Sequence, residues 1–146
     1  MDRATELGHV HLKVRDADRA VAFYRDVLGL DVTERVGDYA VLSYGERHHD
    51  VALQGVGDDA LGPGRGVGLY HAAFEVPDAD ALSETYQRLR ERDVDVSPVD
   101  HGISKALYFD DPDGNGLEVY LDTRAANDRE EWSGENSRFD PESLGR

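Results

Sequence analysis

The chain has 146 residues, and 31 Asp+Glu against 16 Lys+Arg leave a net charge of −15, so one acidic domain is expected. Phosphate binding needs a basic face, so this balance excludes a nucleic-acid partner and argues against an anionic membrane surface. The sequence has no cysteine, which excludes disulfides, thiolate nucleophiles and cysteine-held metals, leaving His, Asp and Glu as metal ligands.

The first element in chain order is a strand. His9, His11 and Lys13 alternate with Val10, Leu12 and Val14, a period of two. Asp16 or Asp18 caps the helix that follows, whose apolar stripe is Ala17, Ala20, Val21, Tyr24 and Leu28, and Gly29 ends it. Three short strands follow, over about 31–36, 39–44 and 49–55. Residues 57–67 are glycine-rich, but their spacing matches no nucleotide-binding fingerprint and they lead into a strand, so they read as a linker.

Displacing the chain by 62 positions lays residues 7–32 on 69–94 with nine identities, His9/His71, Tyr24/Tyr86 and a shared Asp-Ala-Asp among them. The second copy has the same order. After its lead strand, Pro77-Asp78 opens a helix that buries Ala79, Leu82, Tyr86 and Leu89, and strands follow near 95–99, 104–109 and 116–121. The expected fold class is therefore α+β, two tandem βαβββ modules forming a curved mixed sheet around a metal site. Module one covers about 5–56 and module two about 68–122 of one domain, and an acidic tail covers 123–146. In that tail Arg129–Trp132 reads as a helical turn with Trp132 packed on the body, and Gly134–Arg138 as a mobile stretch.

The histidines carry the chemistry. His9 and His71 hold equivalent places at the start of the two lead strands, which pseudo-twofold packing would bring together as metal ligands rather than core residues. In the last strand Leu117, Val119 and Leu121 share one face, which leaves Glu118 and Tyr120 on the other. A carboxylate there is either solvent-exposed or paired with a cation. Aligning the last strands of the two copies sets Ala52, in Val51-Ala-Leu53, opposite Glu118, so the symmetry-related fourth ligand is absent. Two histidines, one carboxylate and open positions make the facial triad of non-haem iron oxygenases. His11 lies on the face of His9, as an alternative ligand or a group orienting it, whereas an extended segment would turn His48 away from His49.

The paired βαβββ units, the HVHLKV strand, the FYRDVLGL helix and the terminal DPDGNGLEVY together resemble the vicinal oxygen chelate superfamily of glyoxalases, bleomycin-resistance proteins and extradiol dioxygenases, over about 7–132. Within it the chain is most similar to the catechol 2,3-dioxygenase branch. The resemblance implies that His9, His71 and Glu118 hold a divalent metal, Fe(II) foremost, with Mn(II), Ni(II) or Zn(II) as alternatives. It also implies that His49, before Asp50, is an acid/base histidine. His101 and Tyr108 are then implied to donate hydrogen bonds to the oxygens of a small aromatic vicinal diol that reacts with O2. A homodimer is implied as well. The other branches offer a glyoxalase-like lyase or isomerase, or a binding protein of the bleomycin-resistance type.

Two expectations concern the surroundings. Only Lys13 and Lys105 are lysines among the sixteen basic residues, and acid excess with few lysines suits a halophilic protein in concentrated salt. The longest apolar run, Ala20–Tyr24, is far below the roughly 20 residues of a membrane span. No apolar segment follows Met1, so a cytoplasmic location is expected.

Overall fold

A computed structural model describes residues 4–144. The chain divides into two compact units, Met1–Gly64 and Arg65–Arg146, each with its own mixed sheet. The architecture is α+β, as the periodicity predicts.

In the first unit β1 (Val10–Val14) leads into α1 (Ala17–Leu28), followed by β2 (Asp31–Val36), β3 (Tyr39–Ser43) and β4 (Val51–Gly55). The sheet order is β1-β4-β3-β2, with β1 and β4 parallel and the other pairs antiparallel. Asp16 is the residue that caps α1, its Oδ1 accepting from the amides of Asp18 at 2.8 Å and Arg19 at 3.2 Å. Gly29 closes the helix at φ 74°, in the left-handed region that glycine adopts without strain. The buried stripe takes in Phe23 and Val27 beside the expected Ala17, Ala20, Tyr24 and Leu28, while Val21 is only half-buried. This face packs on β4, and each large side chain so buried contributes about 1.5–3 kcal/mol. The edge strand β2 is exposed throughout and carries Asp31, Glu34 and Arg35 and a register shift between Val32 and Glu34, features that discourage pairing at an open edge.

The second unit repeats the plan with β5 (Ala72–Val76), α2 (Ala79–Glu91), β6 (Ser97–Asp100), β7 (Ser104–Asp110) and β8 (Gly116–Asp122). Asp78 caps α2 by accepting from the Ala81 amide at 2.8 Å. The buried face of α2 is Leu82, Thr85 and Leu89. Thr85 fits there because its hydroxyl donates to the Ala81 carbonyl at 3.0 Å. Ala79 and Tyr86, expected in the core, are only half-buried, and Arg90 lies over the Tyr86 ring.

The tail departs from expectation. Its helical turn, α3, is Arg124–Asn127, five residues before the expected one, and ends at Asp128 with φ 48°. Ser137–Arg138, in the stretch read as mobile, form β9, which pairs with β6 and extends the sheet to β5-β8-β7-β6-β9. The open edge of β6 supplies the unpaired backbone groups that recruit it, a partner invisible in the local sequence. Among the described residues no helix is long and apolar enough to cross a membrane.

Candidate functional site

The strand registers place the repeat-related residues on matching rungs. In unit one His11 pairs with Ala52 across β1 and β4; in unit two Ala73 pairs with Glu118 across β5 and β8. Ala52 therefore stands where the second unit carries Glu118, and His9 and His71 each lie just ahead of a lead strand.

In the first unit His9 packs against His49, with ring centroids 4.4 Å apart. The segment before β4 bends instead of extending, so His48 does not turn away: its Nδ1 lies 3.0 Å from Nδ1 of His49. Burial, then the neighbouring His9 and His48 rings, lower the His49 pKa below the ordinary histidine value, which favours its neutral form. His11 is engaged elsewhere, its Nε2 3.1 Å from the Gln54 side-chain oxygen and its ring edge-on to Tyr39.

In the second unit the β7–β8 hairpin does the positioning. Its turn is built on Asp111, whose Oδ1 accepts from the amides of Asp113 and Asn115, both at 2.9 Å, and whose Oδ2 accepts from the Asn115 side chain at 3.0 Å. The resulting register sets Tyr108 directly opposite Glu118. Glu118 is 8% exposed, so the solvent-facing alternative for this carboxylate does not hold. His71 approaches it closely, Nε2 to Oε1 3.1 Å. The Tyr108 ring lies 5.5 Å from that of His71, and its hydroxyl is 2.7 Å from Nε2 of His101. Burial, then the Glu118 carboxylate, push the Tyr108 pKa up to about 12. His71, His101, Tyr108 and Asn136 line a cavity of about 620 Å³, within the range of small-molecule sites.

Close approach of β5 and β8 depends on Gly116. A Cβ there would run into the Tyr70 carbonyl oxygen and lie 3.5 Å from the His71 Cβ.

The donor chemistry of His71 and Glu118 suits a divalent metal. Two ligands at right angles on one ion, with bonds of roughly 2.1 Å, stand roughly 3 Å apart, close to the 3.1 Å between His71 Nε2 and Glu118 Oε1. Nδ1 of His71 is buried without a hydrogen-bonding partner, so the ring's contacts are incomplete as it stands. Within either unit, among the described residues, no three His, Asp or Glu side chains gather into a cation site. The second unit thus carries two of the three expected ligands, and His9 belongs to the first.

One residue lining this cavity escapes the sequence reading, Asn136, which contacts His101; Trp132, expected to pack on the body, is exposed, and its indole donates to Asn136. Neither has a counterpart in the repeat, the one signal that singled out the histidines.

Comparison with known proteins follows the same lines. Residues 6–119 match the family model described as Glyoxalase/Bleomycin resistance protein/Dioxygenase superfamily. A catechol-2,3-dioxygenase of Bacillus subtilis is 35% identical over 119 residues, 81% of this chain but 42% of that protein. A biphenyl-2,3-diol 1,2-dioxygenase of Rhodococcus globerulus is 37% identical over 82% of this chain and 64% of that one. The chain thus spans only about half the length of these two curated relatives. The glutathione transferase FosA of Serratia marcescens is 31% identical over 82% of this chain and 83% of its own. Among solved structures, a glyoxylase/bleomycin resistance protein/dioxygenase domain from Frankia sp. EAN1pec superposes with a TM-score of 0.71 at 25% identity, covering 82% of this chain and 99% of that one. The chain belongs to the glyoxalase/bleomycin resistance protein/dioxygenase superfamily, the vicinal oxygen chelate group that its repeats and terminal hairpin resemble.

Proposed function

We propose that this protein is a metal-dependent extradiol-type dioxygenase acting on a catechol-like aromatic diol. The observation that carries the reading is the His71–Glu118 pair, with His71, Tyr108 and His101 lining a cavity sized for a small molecule. The likeness to two aromatic-diol dioxygenases supports it. His9, His71 and Glu118 would hold the metal, Fe(II) first and Mn(II) second. When bound, the ion supplies a centre at which two adjacent substrate oxygens chelate and dioxygen reacts. The chain's own groups orient and exchange protons. Tyr108 and His101 meet the diol oxygens, and His49, beside His9, is the proton acceptor and donor for the reacting oxygens. The net reaction breaks the ring carbon–carbon bond beside the diol and leaves both oxygen atoms of O2 in the product. We also propose a homodimer, by analogy with the superfamily.

A second reading is favoured by length. FosA matches over 83% of its own chain, whereas the catechol dioxygenase matches over 42%. A transferase or lyase of this superfamily needs metal but no O2. Oxygen uptake with catechol and substituted catechols separates the two, using Fe(II)-loaded protein in molar salt with His71→Ala as control. Uptake with a new yellow product, lost in the control, is expected. Metal binding through His71 without uptake on any diol would shift the function to oxygen-independent chemistry.

A further inference from the structure

The cavity beside His71 carries acid at one end with no base to answer it. Asp95 and Asp110 both line it, and none of the described residues that line it is Lys or Arg. Ser97 of β6 pairs with Tyr108 of β7. That register, continued past the start of β6, sets Asp95 across from Asp110 on the face that carries Tyr108. Like charges facing each other across an antiparallel pair are destabilising, so the arrangement costs stability unless a cation lies between them. Arg138 does not serve, because β9 pairs it with Val99, towards the other end of β6.

An aromatic ring stands at the same end. Asp110 pairs with Gly116, and the Tyr70 carbonyl lies against Gly116, so Tyr70 enters the cavity beside the two aspartates. Tyr70 is 88% exposed, its ring centroid 5.4 Å from that of His71. Two carboxylates and an open aromatic face suit an organic ammonium. Asp110 is two residues, about 6.6 Å, along β7 from Tyr108, a separation that a benzene ring with a short alkyl arm bridges.

We propose that Asp95 and Asp110 are specificity-determining residues that select an aromatic diol with a short aminoalkyl arm, its ammonium held between the two carboxylates and against the Tyr70 ring. The His71–Glu118 pair marks the cavity as a binding site, and the aspartates decide what enters it. An alkylammonium, like the lysine side chain, is charged at neutral pH, whereas a carboxylate on the same arm meets like charge. The diol end rests on the function proposed above; the ammonium end does not.

The test is anaerobic calorimetric titration of the full-length protein, with and without Mn(II), in about 0.15 M salt. The probes are three catechols whose two-carbon arm ends in an amine, an alcohol or a carboxylate. With or without the metal, the amine should bind at least about ten-fold tighter than the alcohol, and the carboxylate more weakly than either. The preference should vanish in the double variant Asp95→Asn/Asp110→Asn and persist in Asp59→Asn, which makes a charge change in the first unit. It should shrink in 1 M salt, where charges are screened beyond about 3 Å. Equal affinity for amine and alcohol in wild type, binding of neither, or a preference that survives in the folded double variant would overturn the inference. Oxygen uptake on plain catechol without an amine preference overturns it and leaves the dioxygenase reading standing; an amine preference without uptake does the reverse.

Discussion

Replacing Gly116 with alanine tests whether the close approach of β5 and β8 builds the site. The backbone there is not left-handed, so alanine meets no conformational penalty. The cost is steric: the new methyl runs into the Tyr70 carbonyl, which adjoins His71. Overpacking of this kind costs about 1–3 kcal/mol. In a chain of this length that lowers the melting temperature by about 2–12 °C. The strand must yield at the residue that presents His71, whose Nε2 stands 3.1 Å from Glu118, and a metal pair tolerates little displacement. Affinity for Mn(II) should fall at least about ten-fold. Gly29→Ala is the matched control. Its φ of 74° costs about 1–2 kcal/mol, but nothing lies near its Cβ and it caps a helix in the other unit. Urea denaturation of the apoprotein should rank the two as comparable, and Mn(II) titration followed by electron paramagnetic resonance should separate them. A Gly116→Ala protein that binds Mn(II) like wild type would refute the reasoning, as would equal loss in Gly29→Ala.

Glu118→Gln should leave the apoprotein within about 1 kcal/mol of wild type, since a buried carboxylate is costly in itself. It should abolish the thermal stabilisation by metal, which at one hundred times Kd amounts to about 2.7 kcal/mol in wild type; a retained shift would remove Glu118 from the ligand set. With the Tyr108 pKa raised to about 12 from the ordinary 10, the folded apoprotein holds the Tyr108 proton longer than the unfolded chain does. Its contribution to stability is complete below pH about 10 and is lost as pH rises towards about 12. Ultraviolet titration should accordingly show a late tyrosinate step that vanishes in Tyr108→Phe and moves to lower pH in Glu118→Gln. Asp16→Ala removes a cap with two amide partners and should cost about 1 kcal/mol by urea denaturation, with metal affinity unchanged.

Much of the fold is legible in the sequence because period and punctuation agree. Asp16, Asp78 and Gly29 bound helices at the positions their chemistry requires, and the alternation around His11 and Glu118 marks strands that form in the structure. The repeat adds what periodicity lacks: aligning its last strands equates Ala52 with Glu118, an equivalence the two parallel ladders reproduce rung for rung. What is not legible depends on partners distant in the chain. Gln54 claims His11 from 43 residues away, β6 captures Ser137–Arg138, and a bend brings His48 back onto His49. Asn136 belongs with these, its placement beside His101 being a consequence of β9 rather than of local sequence.

The proposed function needs His9, His71 and Glu118 as ligands of one metal. Its most direct test is metal stoichiometry under anaerobic conditions in wild type and in His9→Ala, His71→Ala, Glu118→Ala, His11→Ala and His48→Ala. One tightly bound Fe(II) or Mn(II) per chain is expected in wild type, lost in each of the first three variants and kept in the last two. Full retention in His9→Ala, or loss in His11→Ala, would contradict it.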